Sequence, residues 1–192
     1  TATQCLQAAA AVGQSEMMFL YDKLFSEYGV IVSQLLFTYD ELQNPESKTH
    51  LVNTINQLLE YDCLPIMNEN DSVSVEELLN GDNDCLSASV AVFSEADLLV
   101  LLTDTDGLYD GNPSENPNAK LIKQVDIIDD NIKSITGSAG ARGTGGFITK
   151  INAAEIAVSA GVPVVITNGK KPTDIYKILN GEPVGTYFKA VK

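Results

Sequence analysis

Leu98-Leu99-Val100-Leu101-Leu102, followed at once by Thr103-Asp104-Thr105-Asp106-Gly107-Leu108-Tyr109-Asp110-Gly111-Asn112-Pro113, decides the fold class. A short run of apolar residues with no polar alternation suits a strand buried on both faces, the central strand of a parallel sheet. The Asp-, Gly-, Asn- and Pro-rich stretch from Asp104 to Asn118 then has to be a long loop. Working outward, the same alternation repeats. Upstream, Gly81-Asp82-Asn83-Asp84 opens a helix that ends near Ala96, and Cys63 to Met67 reads as a strand running into the polar loop Asn68 to Asp71. Pro45 starts a helix over Glu46 to Glu60, and the β-branched run Val30 to Thr38 reads as a strand. Ala2 to Tyr28 reads as a helix stopped by Gly29. Gly13 inside it weakens that helix by ~1 kcal/mol relative to Ala and marks either close packing or a break. Downstream, a helix runs from Gly146 to about Ala160 and Pro163 to Thr167 is a buried strand. Thr173 to Leu179 is a short helix, and Gly185 to Ala190 a last strand. Strict alternation of helix and strand implies a central, mostly parallel sheet with helices on both faces, in one domain over residues 1–192. Ligands in such sheets bind past the carboxyl ends of the strands, here after Met67, Leu102 and Thr167.

Composition narrows the chemistry. A chain of 192 residues with 44% apolar residues buries roughly 70% of its extended surface and needs no staple. Its net charge of −14 argues against broad contact with nucleic-acid phosphates or an anionic membrane, while leaving room for one small basic pocket. Cys5, Cys63 and Cys85 are odd in number and far apart, which does not suit a disulfide framework or a structural zinc site. His50 is the sole histidine, so any Ser-His-Asp site would have to be built on it. It lies four residues after Glu46 in a helix and reads as a surface residue. No apolar run approaches the ~18 residues of a membrane span, and no signal peptide opens the chain. A reduced, cytoplasmic setting is the simplest expectation.

Four stretches carry candidate chemistry. Gly143 to Lys150, GTGGFITK, is a glycine-rich turn entering a helix, with Arg142 before it and Lys150 in the first turns. Glycines let backbone N–H groups converge on an anion, the helix N-terminus adds partial positive charge and Lys150 a full one. The spacing is neither a Walker A motif nor a dinucleotide fingerprint, and an ordinary loop with a solvated lysine fits the pattern equally. Asn68-Glu69-Asn70-Asp71 and Gly81-Asp82-Asn83-Asp84 gather amides and carboxylates. Such groups suit an α-amino acid, its ammonium on carboxylates and its carboxylate on amides; they suit Mg²⁺ as well. Capping alone explains Asp82 or Asn83 but not Asn68 to Asp71. Asp104 and Asp106 stand where they could approach a ribose or a metal-bound nucleotide, although Asp-Gly is also plain turn chemistry. Met17-Met18-Phe19-Leu20 reads as core or subunit contact rather than a cofactor box.

Taken together, Ala8 to Ser15 (AAAAVGQS), Ile66 to Asp71 (INEND), GDND, Leu101 to Tyr109 (LLTDTDGLY), GTGGFITK and Val184 to Phe188 (VGTYF) closely resemble the glutamate 5-kinases. These belong to the amino-acid kinase family with N-acetylglutamate kinase and aspartokinase, and the resemblance spans essentially the whole chain. It implies a three-layer αβα sandwich around a mostly parallel sheet. It implies transfer of the γ-phosphoryl of ATP, with Mg²⁺, to the γ-carboxylate of L-glutamate, giving glutamate 5-phosphate on the route to proline. It assigns Asp71 and Asn83, with Asn68 beside them, to glutamate. Thr103 and Asp104 match the nucleotide site, and Thr144, Gly145, Gly146, Phe147, Ile148, Thr149 and Lys150 the ATP segment. Lys150 and Asp84 are the catalytic pair, Asp84 orienting lysine. Proline as feedback inhibitor, a homo-oligomer (dimer or tetramer), and no membrane or nucleic-acid partner for this domain are also implied.

The resemblance is incomplete in places. The family's first strand, with a second catalytic lysine, a glycine-rich turn and a serine, has no counterpart, since the chain opens Thr1-Ala2-Thr3-Gln4 in helical sequence. It stops about where many members continue into a PUA module, and Phe147 replaces a common Met. The chain is therefore expected to be the larger part of a kinase domain lacking its first β/α segment, inactive or nearly so alone, and prone to associate. The competing readings are an acetylglutamate or aspartate kinase, separated by substrate comparison, and a non-catalytic amino-acid sensor or pseudokinase that would bind glutamate but no nucleotide.

Overall fold

The computed structural model describes residues 2–74, 83–113, 115–137 and 146–191. They divide into two compact units, Thr1–Asn83 and Asp84–Lys192.

In the first unit, α1 (Ala2–Ser26) ends where Gly29 takes φ +72° and its N–H, with that of Val30, closes back on Ser26 and Phe25. This is the left-handed glycine stop read from the sequence. Gly13 marks neither close packing nor a break: the helix runs straight through it, and a Cβ there would meet nothing within 4 Å. α1 contains no buried residue. Met17 and Met18 are half-buried, whereas Phe19 and Leu20 are 61% and 56% exposed, so the core reading of that stripe does not hold.

β1 (Ile31–Phe37) pairs in parallel with β2 (Cys63–Glu69), from Ile31 opposite Cys63 to Phe37 opposite Glu69. β2 continues two residues past Met67, which moves Asn68 and Glu69 from the expected loop into the strand. Between the strands lies α2 (Tyr39–Gln43), which the strand-helix alternation did not anticipate. Its start is a capping box: Thr38 Oγ1 accepts from Glu41 N–H at 3.3 Å, and Glu41 Oε2 from Thr38 N–H at 2.7 Å. α3 (Pro45–Glu60) follows with Pro45 at its first position, and Asn44 Oδ1 accepts from Glu46 and Ser47 N–H. His50 lies on its exposed face, 3.9 Å from Glu46.

The second unit contains most of α4 (Asn83–Phe93), then β3 (Leu99–Thr103), β4 (Gln124–Val125), α5 (Asp130–Gly137), α6 (Phe147–Ser159), β5 (Val164–Asn168), α7 (Asp174–Leu179) and β6 (Thr186–Phe188). Its sheet has the order β3-β5-β6-β4. The β3/β5 and β4/β6 pairs are parallel and β5/β6 is antiparallel, so pairing within each unit's own sheet is wholly or mostly parallel, as expected of an α/β fold. β5 is the inner strand that the apolar run 98–102 led us to expect of β3. Val164 to Thr167 are buried, whereas β3 is at one end of this sheet and Leu102 is 47% exposed. The core gathers Leu101, Leu108, Val164, Ile166 and Phe188 against Ala153, Ala154 and Ala157 of α6. Alanine at three inward positions lets the helix approach the strands closely, at the expense of area buried per residue. Gly185 takes φ +71°, and a Cβ there would run into the Ile166 carbonyl oxygen, so the turn into β6 requires glycine.

Candidate active site

Asn68 sits near the carboxyl end of β2 and donates from Nδ2 to Gln14 Oε1 at 3.0 Å. Its Oδ1 accepts from Asn83 Nδ2 at 3.1 Å. Two amides that the sequence separates by fifteen residues are thus joined directly. Asp71 lies in the turn after β2, held by Val73 and Ser74 N–H donating to Asn70 O. Burial pushes its carboxyl above the usual carboxylate range. Glu69, 4% exposed, turns the other way, and its Oε1 accepts from Tyr39 N–H at 3.3 Å. Within the first unit Gln14, Asn68 and Asn83 form a cluster of amides, and Asp71, three residues beyond Asn68 in the chain, adds a carboxylate; together they have the chemistry that suits an amino-acid head group.

The second unit carries the cationic side. Asp84, in the first turn of α4, accepts at Oδ2 from Lys150 Nζ at 2.9 Å and from Thr149 Oγ1 at 2.7 Å. The lysine and aspartate side chains are only 17% and 20% exposed, which strengthens their attraction and fixes the ammonium in direction. Gly146 stands at the N-cap of α6 and makes no side-chain hydrogen bond there. Thr149 N–H closes back on Gly146 O at 3.0 Å, and the positive end of the helix dipole lies beside Lys150. Gly146, Phe147, Ile148, Thr149 and Lys150 thus form the described part of the glycine-rich segment. Arg142, Gly143, Thr144 and Gly145 lie outside the described residues, as do Gly81 and Asp82.

Thr103 and Asp104 stand at the carboxyl end of β3, joined by Thr103 Oγ1 donating to Asp104 Oδ1 at 3.2 Å. The backbone of Thr103 also accepts from Gly169 N–H at 2.8 Å, tying the ends of β3 and β5 together. Asp106 accepts from Asn168 Nδ2 at 2.9 Å and Lys171 Nζ at 3.2 Å, and those two bonds hold its carboxyl below the usual range. The sequence reading named Asp106 but missed Asn168 and Lys171. The signal was present: Asn168-Gly169-Lys170-Lys171 follows directly on the buried strand β5.

Among the described residues, no group of three or more His, Cys, Asp or Glu side chains could hold a metal. No described helix is long and apolar enough to cross a membrane.

A parallel α/β scaffold with a lysine-aspartate pair at a glycine-capped helix defines a class, and residues 1–168 match the model of the amino acid kinase family; the chain belongs to that family. Among its relatives, the glutamate 5-kinase of Clostridium acetobutylicum is 51% identical over 183 residues, covering 95% of this chain and 68% of that protein. The glutamate 5-kinase of Listeria innocua is 47% identical over 191 residues, covering 97% of this chain and 69% of that protein. Among solved structures, an isopentenyl phosphate kinase superposes with a TM-score of 0.58 at 19% identity, over 92% of this chain and 66% of that one. The UMP kinase of Ureaplasma parvum gives 0.56 at 16% identity, over 88% of this chain and 64% of that one. Those two likenesses show the fold alone. The chain spans about two thirds of the length of the relatives it matches.

Proposed function

We propose that this protein is an ATP-dependent glutamate 5-kinase, with residues 1–192 forming the larger part of an amino-acid kinase domain in which the first unit holds L-glutamate and the second holds MgATP. The observation that carries this reading is the Asp84–Thr149–Lys150 constellation, because it fixes an ammonium in the first turns of the helix that follows the glycine-rich segment. Identity of 51% and 47% to glutamate 5-kinases supports the choice of acceptor.

Phosphoryl transfer asks for positioning and charge compensation more than for covalent help. Both reactants are anions, and the attacking γ-carboxylate is already ionised at neutral pH. No general base is required, which suits a chain whose histidine lies exposed on a helix. Asp71 receives the substrate ammonium, with Asn68 and Asn83 completing the amino-acid contacts. Thr103 and Asp104 contact the nucleotide, while Thr144 to Lys150 wrap the phosphates and Lys150 offsets charge on the moving group. Mg²⁺, carried on the nucleotide, supplies further charge neutralisation. Asp84 keeps Lys150 from collapsing onto other acceptors. A cytoplasmic setting, a homo-oligomeric state and inhibition by proline at the glutamate site belong to the same reading.

The test is an assay of the intact protein with L-glutamate and MgATP in hydroxylamine, which traps an acyl phosphate as its hydroxamate. Hydroxamate formation that depends on both substrates, with N-acetylglutamate and aspartate poor acceptors, is expected. Preference for either competitor reassigns the acceptor. Glutamate binding by calorimetry with no nucleotide binding overturns the kinase reading.

A further inference from the structure

Four primary amides in the first unit form one directional relay. Asn83 Nδ2 donates to Asn68 Oδ1 at 3.1 Å, Asn68 Nδ2 to Gln14 Oε1 at 3.0 Å, and Gln14 Nε2 to Gln34 Oε1 at 3.1 Å. Every N–H points the same way, from Asn83 towards Gln34. Gln14 comes from α1, Gln34 from β1, Asn68 from β2 and Asn83 from the start of α4. A primary amide carries its acceptor and its donors on opposite sides, so each member's orientation dictates that of the next. Bonds in such a series also polarise one another. At one end, Oδ1 of Asn83 stays outside the relay as an acceptor. At the other, Gln34 is exposed on the strand surface.

We propose that Gln14 and Gln34 are positioning residues for the amino-acid site: the direction of the relay makes Asn83 present its oxygen, beside the Asp71 carboxylate in role, to the substrate ammonium. This rests on the glutamate reading of the site. Reversing the relay turns every amide over. Asn83 Oδ1 is then consumed by Asn68 Nδ2, and the face offered to an ammonium becomes a donor, which repels it. Glutamate binding weakens while the nucleotide side, in the other unit, is unaffected.

Gln34 is the place to set the direction without touching substrate contacts. Gln34→Glu offers only acceptors and keeps Gln14 donating. Gln34→Lys offers only donors, so Gln14 must turn its Oε1 towards position 34 and its Nε2 towards Asn68. Steady-state kinetics of the intact enzyme and both variants, with melting temperature measured in parallel, decide the matter. Gln34→Glu is expected to keep the glutamate KM within about twofold of the parent. Gln34→Lys is expected to raise it about tenfold, the scale of one hydrogen bond to a charged group, with the ATP KM unchanged. Plain Coulomb attraction predicts the opposite order, because a lysine draws anionic glutamate in and a glutamate repels it. Gln14→Met, which interrupts the relay without reversing it, is expected to raise the glutamate KM by less than Gln34→Lys and to make it insensitive to the residue at position 34. Equal effects of the two Gln34 variants, or a lower KM for Gln34→Lys, overturns the relay while leaving the kinase reading intact. A parent enzyme that fails to phosphorylate glutamate overturns both.

Discussion

Lys150 has its ammonium fixed 2.9 Å from Asp84 Oδ2, and the loss of that charge is felt where negative charge moves between donor and acceptor. Lys150→Ala should lower kcat by about a hundredfold or more, the scale for removing a transition-state charge partner. Single-turnover rates check this, and an unchanged rate removes Lys150 from the mechanism. Asp71 invites a pH experiment. Its carboxyl is raised by burial, so in the free protein it takes up a proton at a pH above the ordinary carboxylate range. A protonated Asp71 cannot hold an ammonium by charge. The glutamate KM should therefore climb as pH falls, beginning above that range, and Asp71→Asn should abolish the climb while raising KM at neutral pH, the two proteins converging once the parent's Asp71 is protonated. The same pH profile in parent and variant assigns the titration elsewhere. The linkage to folding has the opposite sign to a salt-bridged acid: the folded state binds this proton more tightly than the unfolded one, so this residue's contribution to stability falls as pH rises through its raised pKa. Asp106 is the contrary case. Asn168 and Lys171 lower its pKa, so its contribution is present above the unfolded value and is lost only once pH falls through the lower folded one.

At the scale of elements, β6 is held by a side chain as much as by its ladder. Thr186 is fully buried; its Oγ1 donates to Ile122 O at 2.6 Å and accepts from Leu108 N–H at 2.8 Å. This one hydroxyl ties the Gly107–Leu108 turn and the 122 segment to the strand. Thr186→Val keeps the shape and strands both backbone groups in the core, for a loss of about 2–4 kcal/mol; Thr186→Ser should recover most of it. Urea midpoints measure this, with unchanged slope as the sign that the denatured state is unaffected. A loss under about 1 kcal/mol would mean that the two groups find other partners. Thr186 also shows what a sequence can and cannot tell. Strand β5 is plain from its unbroken apolar β-branched run, and α3 from Asn44 and Pro45. The capping box of α2 was there to be read as Thr38-x-x-Glu41, but five residues between two longer elements carry no periodicity. β4 has two residues and is a strand only because β6 lies beside it. The site divides in the same way. Gly146 to Lys150 shows itself by composition, whereas the Lys150–Asp84 pair spans 66 residues and the Asn68–Gln14 bond spans 54, distances over which no local pattern carries information. A resemblance of several motifs together could place Asp84; nothing short of the fold could place Gln14.

For the whole molecule the governing fact is charge. A net −14 over these 192 residues faces two anionic substrates, and among the described residues of the second unit the cations placed at the candidate site include Lys150 and, beside Asp106, Lys171 with its neighbour Lys170. Long-range and short-range electrostatics therefore act in opposite directions. The distant carboxylates repel glutamate and ATP during approach, whereas Lys150 acts within contact distance and is screened little. Screening separates the two, since the Debye length falls from about 30 Å at 0.01 M to about 10 Å at 0.1 M salt. Raising KCl across that range at fixed Mg²⁺ should increase kcat/KM for both substrates by roughly two- to threefold, as the general repulsion is lifted before the local contacts weaken. Replacing Lys170 and Lys171 together by Ala should deepen the low-salt deficit for ATP and leave that for glutamate unchanged. A steady fall in kcat/KM from the lowest salt upward would mean that the lysines already outweigh the rest of the surface, and that this acidic protein draws its substrates in rather than merely tolerating them.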